Sequence, residues 1–180
     1  MNIIKNMNEI KLVSPLLELK NEYLSFYQDW KESGEDMVPW VIKKDPRDFE
    51  AMLQSLFDND RGVGAVDGRV PDSTFWLINN HHRVLGVVNI RHRLTEHLLN
   101  AGGHIGYAIR PSERLKGYAI ILLRLALIEA KTLGIENVLV VCDAENVGSE
   151  KTIVKNGGKP DSDYIEDDGN VVKRYWIQNS

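Results

Sequence analysis

GYAIRPSERLKGYAIILLRLAL, residues 106–127, joins a strand-like run to a helix-like run through a short basic junction. The first run belongs to GHIGYAIR (103–110), a β-prone stretch halted by Pro111, which cannot donate to a ladder. The second opens a segment, 116–133, that is apolar over most of its surface, the pattern of a helix buried against a sheet. Between them stand Arg114, Leu115, Lys116, Gly117, Tyr118 and Ala119. A turn alone needs only the glycine. The first N–H groups of a helix lack intrahelical partners and carry partial positive charge. Gly117 lets an anion approach the backbone, Ala119 adds little bulk, and Arg114 and Lys116 add full charges. Together these make a pyrophosphate site. The same six residues also fit an ordinary strand-to-helix turn with solvated basic side chains, and taken alone they leave both readings open.

Working outward, EIKLVSP (9–15) predicts a short first strand. Leu16, Leu19, Tyr23, Tyr27 and Trp30 recur at helical spacing until SGED closes the segment. A second helix is predicted over 46–58, where Phe49, Met52, Leu53 and Leu56 share a face. RGVGAVDGRVPDS (61–73) reads as loop. TFWLINN (74–80) and RVLGVVNIRHRL (83–94) read as a hairpin. Beyond the long helix, NVLVVCD (137–143) is a continuous β-branched run, as expected of a strand covered on both faces. A shorter helix (147–156) ends at NGG, and DYIED and VVKRYWIQ complete the sheet around a turn at Asp168-Gly169. The order β-α-α-β-β-β-α-β-α-β-β predicts an α/β (α+β) mixed sheet with helices on its faces.

The whole chain narrows the function classes. Its 180 residues predict a single domain, 1–180, with room for a sizeable core. A net charge of −4 argues against a broad nucleic-acid footprint, though a local basic pocket remains compatible. The only cysteine, Cys142, cannot form an internal disulfide, which fits a reducing compartment. MNIIKNMNEIKLVSP lacks the apolar core and cleavage site of a signal peptide, and YAIILLRLALIEA is too short and too charged to span a bilayer. A cytoplasmic protein with no membrane partner is expected. No G-x-x-x-x-G-K-[ST] occurs, and no G-x-G-x-x-G follows a strand and opens a helix. The histidines at 81, 82, 92 and 97 lack a metal-binding spacing, so no metal is expected.

The 106–127 stretch resembles the acyl-CoA motif of the GNAT superfamily of N-acetyltransferases. The pattern [RQ]-x-x-G-x-[GA] is met by Arg114, Gly117 and Ala119. CDAENVGSEKTIVKNGGK (142–159) resembles the second motif, an Asn after the fifth strand followed by a helix and a glycine. The two motifs cover roughly residues 83–158, and GGHIGYAIRPSERLKGYA is most similar to a bacterial branch of predicted acetyltransferases. The resemblance implies a central, twisted, mostly antiparallel sheet whose fourth and fifth strands splay apart, with acetyl-CoA as co-substrate in the gap. It implies that residues 114–119 hold the pyrophosphate, Leu115 and Tyr118 included. It further implies that backbone groups of Ala108 and Ile109 bond the pantetheine like a strand, and that Asn146 and Ser149 contact the same arm. The acceptor would be a primary amine of a small molecule or a peptide, and the protein a monomer or homodimer.

Acetyl transfer needs a neutral amine, a polarised thioester carbonyl and, for the departing thiolate, a proton. The family often supplies that proton from a Tyr seven residues after the Asn. Here that position is Ile153. Tyr107, Tyr118 and Tyr164 are the substitutes to consider, though each reads more readily as a packing residue with its hydroxyl at the surface. The family's strand-four base aligns near GGHIGY, which makes His104 the candidate, since an unperturbed His titrates near neutrality. Strand side chains alternate faces, and the resemblance aligns the family's bases more nearly with Gly103 or Ile105, so His104 requires a bulge to face the site. In RHRLTEH (91–97), Arg91 or Glu96 lines a substrate pocket or else belongs to a solvated strand end. Glu35 or Asp36 in GEDMVPW (34–40) binds the amine or belongs to a plain acidic loop. Cys142 reads as an inert core thiol. Two other classes stay open: an acyl-CoA-binding module without transfer, suggested by Ile153, and a phosphate-binding regulator unrelated to CoA.

Overall fold

The computed structural model describes residues 10–64 and 68–179. Most of the N-terminal stretch considered for a signal peptide, with Glu9 of the first strand and part of the 61–73 loop, lies outside the described residues.

Strands β1 (Lys11–Val13), β2 (Asp72–Ile78), β3 (Val84–Arg91) and β4 (Ile105–Ile109) form one antiparallel sheet in that order. Strands β5 (Asn137–Asp143), β8 (Val171–Gln178) and β6 (Lys159–Pro160) form a second, with β7 (Tyr164–Ile165) also paired to β8. Both sheets are antiparallel within themselves. Helices α1 (Lys20–Ser33) and α2 (Phe49–Asp60) cover one face; α3 (Tyr118–Thr132) and α4 (Val147–Lys155) cover the other. The strand over 137–143 falls where its β-branched run predicts it, and the long helix where its apolar surface does.

Alternation along the strands divides the core in two. Ile105 and Ile109 join Leu122, Leu123, Ala126 and Val140 beneath α3, whereas Ala108 and Val87 join Phe26, Trp30 and Trp76 beneath α1 and α2. Each fully buried aliphatic side chain contributes roughly 1.5–3 kcal/mol, so the two clusters clamp the sheet from both sides. Phe26 is completely buried although the helical-spacing count passes over it, and Leu16, which that count includes, is exposed. The helix proper begins four residues later, after a 3-10 turn at Leu17–Leu19, so Leu16 lies outside it, whereas Tyr23, Phe26 and Trp30 share its buried face.

The two sheets meet at one point. His104 donates its backbone N–H to the Leu139 carbonyl at 2.7 Å, and the Leu139 N–H donates to His104 Nδ1 at 2.9 Å. Gly103, immediately before, has φ 65°, and a Cβ there would lie 2.7 Å from the Leu139 oxygen, so the close approach requires glycine. Beyond this junction, β4 and β5 run on without pairing among the described residues.

Candidate active site

The gap between β4 and β5 opens into a cleft of about 760 Å³. The loop into α3 lines it at one side, and Pro39, Trp40, Arg91 and Gly102 also belong to its wall.

At the α3 end, Gly117 caps the helix with φ 83° and no side-chain cap, unlike α2 and α4, whose first turns are capped by Asp48 and Asn146. The leading N–H groups of α3 are therefore left to the cleft. Leu115 also has a positive φ, 62°, and its side chain is fully exposed. An apolar residue in that conformation costs about 1–2 kcal/mol, a strain concentrated where the loop wraps the cleft. Arg114, Leu115, Gly117, Tyr118 and Ala119 all line the cleft. Lys116 does not appear in its wall, and its Nζ bonds Glu113 at 2.7 Å. The junction is not an unopposed basic patch. Arg114 binds Glu35 through two bonds, 2.8 and 2.9 Å, and these hold the Glu35 carboxyl below the usual range. Burial alone would raise Glu113, but bonds from Lys116 and Arg83 outweigh it and hold that carboxyl low as well.

Along β4, only part of the backbone faces the gap. Arg110 N–H donates to Leu85 O and Arg91 N–H to His104 O, so the even-numbered residues bond β3. In an antiparallel ladder this alternation turns the N–H and C=O of Ile105, Tyr107 and Ile109 toward the cleft. Of the two residues expected from the resemblance, Ile109 presents its backbone to the gap. Ala108 does not: paired with Val87, its polar groups are turned to β3, and it only contributes to the cleft wall.

On the opposite wall, Asn146 and Ser149 line the cleft together, as the second motif leads one to expect. Asn146 Oδ1 accepts from the Ser149 N–H at 3.0 Å, so it also caps α4. Ile153 is fully buried in the core rather than in the cleft wall. Of the three tyrosines, Tyr164 is outside the cleft and Tyr118 sits at the α3 entrance. Tyr107 enters the wall facing α4, beside Ser149 and Thr152. Its hydroxyl is buried, out of hydrogen-bonding geometry with any described residue, and burial pushes its pKa up to about 12.

His104 is not placed to act as the base. It is buried at the sheet junction, outside the cleft wall, with Nδ1 occupied by Leu139. Burial, and secondarily Arg91, pushes its pKa down to about 4. The strand register is continuous from Ile105 to Ile109, so the bulge that would have turned it into the site is absent. Cys142 lines the cleft but is largely buried, and burial raises its thiol to about 11. Arg91 lines the cleft and Glu96 does not; Asp36 and Glu35 both do, at its mouth. Trp30 and Trp40, which the sequence reading did not assign to the site, supply aromatic wall. Among the described residues, no three His, Cys, Asp or Glu side chains gather as a metal site, and no helix is long and apolar enough to cross a membrane.

A split sheet, an uncapped helix start at its mouth and a cleft between its halves define the architecture of an acyl-group transferase. The model of the acetyltransferase (GNAT) domain matches residues 13–159, and the chain belongs to that family. Solved structures agree on the fold. The microcin C7 self-immunity acetyltransferase MccE, in complex with acetyl-CoA and AMP, superposes with a TM-score of 0.65 at 17% identity, over 95% of this chain and 93% of that one. The dodecameric spermidine N-acetyltransferase from Vibrio cholerae gives 0.65 at 16%, over 96% and 95%. Mycobacterium smegmatis RimJ, in complex with CoA-disulfide, gives 0.68 at 16%, over 94% and 81%. No curated protein sequence matches the chain.

Proposed function

We propose that this protein is an acetyl-CoA-dependent N-acetyltransferase acting on a primary amine of a small molecule or protein, as a monomer or homodimer in the cytoplasm. The observation that carries the reading is the unpaired gap between β4 and β5, opening directly onto the uncapped N-terminus of α3. Backbone N–H groups of residues 115–119 would take the pyrophosphate, with Arg114 beside them. Ile105, Tyr107 and Ile109 would offer backbone bonds to the pantetheine, Asn146 and Ser149 lining the far side. Acetyl-CoA supplies an activated thioester. The amine nitrogen bonds to its carbonyl carbon, the C–S bond breaks, the amine loses a proton and the sulfur gains one.

Tyr107 replaces the missing family tyrosine in this scheme. With its pKa pushed up to about 12 the hydroxyl keeps its proton. It can therefore serve only as a hydrogen-bond donor, and a turn of the ring that opens its buried hydroxyl to the cleft would bring it to the leaving sulfur, while water completes the transfer. No protein histidine takes the amine proton; solvent in the open cleft does.

Isothermal titration with acetyl-CoA, followed by CoA release across an amine library, tests the reading. Absence of acetyl-CoA binding overturns it. Binding without release for any amine favours the second reading, an acyl-CoA-binding module, for which the buried Ile153 is the specific support.

A further inference from the structure

The acceptor end of the cleft is built around a cation. Arg91 is the last residue of β3, and its Nη1 donates to the Gly102 and Gly103 carbonyls at 2.9 and 3.1 Å. These bonds fix the guanidinium over Gly106; a Cβ there would lie 3.7 Å from Nη2 and 3.9 Å from Nη1. Those are ordinary contact distances; the tight neighbour of Gly106 is Pro39, whose Cβ would lie 3.1 Å from such an atom. Nη2 and Nε donate to no described residue, and no carboxylate of a described residue lies within 4 Å of the side chain. Arg91 nevertheless lines the cleft and is only partly exposed.

Two further cations sit on a neighbouring ring. Trp40, also in the cleft wall, carries Lys44 Nζ at 5.0 Å and the Arg69 guanidinium at 4.6 Å from its ring centre. The acid that acts on Arg91 is Asp72, buried and bonded by Asn89 Nδ2 at 2.6 Å. Burial, the largest influence on it, raises the Asp72 carboxyl above its ordinary value. Lys44 and Arg69 stand outside the cleft wall, and of the carboxylates of the 34–40 loop that line it Glu35 is bound to Arg114, which leaves Asp36. A partly desolvated guanidinium with unused donors in a fork is the group best suited to a carboxylate. A polycationic acceptor would meet like charge at the same place.

We infer that Arg91 is an anion-recognition point for the acceptor, so that the amine to be acetylated is carried by a small molecule that also bears a carboxylate, as in an amino acid. This rests on the transferase reading above. The α3 end of β4 receives the pyrophosphate in that reading, and Arg91 stands at the opposite end, past the point where the acetyl group would lie. Arg91 here positions the acceptor.

The test is kcat/KM for CoA release with matched acceptors: amino acids, their decarboxylated amines, aminoalkyl phosphates and spermidine. The expected result is at least a tenfold preference for the carboxylate over its decarboxylated partner. Arg91→Met should raise KM for the anionic acceptors tenfold or more relative to KM for their decarboxylated partners, with kcat changed far less than KM. A stronger response to phosphates than carboxylates overturns the carboxylate assignment; preference for spermidine or neutral amines overturns the anion point itself. An equal fall in kcat for every acceptor assigns Arg91 to the reaction centre and also overturns the inference. Should Arg91→Met fail to fold, the unaltered protein decides. Deaminated carboxylates must inhibit competitively against the acceptor, and their failure to do so defeats the inference. Lack of acetyl-CoA binding by calorimetry takes both readings down; binding without anionic preference takes down only this one.

Discussion

Glu35 receives both terminal nitrogens of Arg114, at 2.8 and 2.9 Å, while the same guanidinium lies 5.1 Å from the centre of the Trp30 ring. The residue that the sequence offers as a free charge for phosphate is thus held by an acid, and Lys116 is held by another. Anion binding at this loop then leans on backbone N–H groups, whose contribution is less exposed to salt than that of a mobile cation. Acetyl-CoA affinity should fall less than about tenfold between low and high salt. Glu35→Gln should bind more tightly at low salt and with a steeper salt dependence. Titration calorimetry at several ionic strengths measures both, and identical slopes would show that Arg114 takes no part.

Gly117→Val separates backbone approach from fold. A Cβ at this position meets nothing within 4 Å, so the fold accommodates it, but φ 83° is poorly tolerated by a β-branched residue. A loss of about 1–2 kcal/mol in stability is expected, together with at least a tenfold loss of acetyl-CoA affinity. Undiminished affinity in the folded variant removes the loop from the binding site.

Tyr107→Phe should leave acetyl-CoA affinity unchanged and lower kcat by roughly 10–100-fold, the worth of one hydrogen bond to a developing charge. Ile153→Tyr should not restore the rate. Ile153 is fully buried, its Cγ2 so close to Gly158 that a Cβ there would lie 2.6 Å away. The larger ring should cost about 1–3 kcal/mol by overpacking. Single-turnover kinetics and urea unfolding check the pair of claims; a rate increase in Ile153→Tyr would mean that the proton donor is absent and Tyr107 is not it.

His104 ties pH to stability rather than to turnover. Its folded pKa, about 4, lies below the ordinary value of 6.5, so the unfolded chain takes up the proton first as pH falls. The stabilisation is complete above pH 6.5 and is lost progressively toward pH 4, by roughly 3 kcal/mol. In His104→Asn the amide oxygen can still accept from Leu139, and this part of the pH dependence should vanish. Urea melts of both proteins between pH 4 and 7 give the comparison. Equal pH dependence in the two, or a ring titrating near 6.5 by NMR, contradicts the assignment.

What was legible in the chain was what depends on near neighbours. The β-branched run at 137–143 and the apolar helix after Gly117 carry their structure in a few consecutive residues. The hidden features join distant ones: Leu139 to His104 across 35 positions, Arg114 to Glu35 across 79. No local pattern announces that a histidine beside a strand will be consumed by a junction, or that an acidic loop will neutralise a basic one. The resemblance puts both Ala108 and Ile109 at the cleft, but which of two adjacent residues turns its backbone to the gap depends on hydrogen-bond parity with β3. The short helical turns at Trp40–Lys43 and Leu98–Gly102 follow from tertiary packing and had no periodic signal to give.

The parting of β4 from β5 past His104 leaves two strand edges facing each other across solvent, each with amides that a continuous sheet would have shielded. Such edges are the places where chains recruit one another into aggregates. In the free protein the amides of Ile105, Tyr107 and Ile109 should exchange with deuterium far faster than those of β3, which is paired on both sides. A ligand laid between the edges would slow that exchange and suppress self-association together. Storage life in solution and occupancy of the cleft would then rise and fall as a single property.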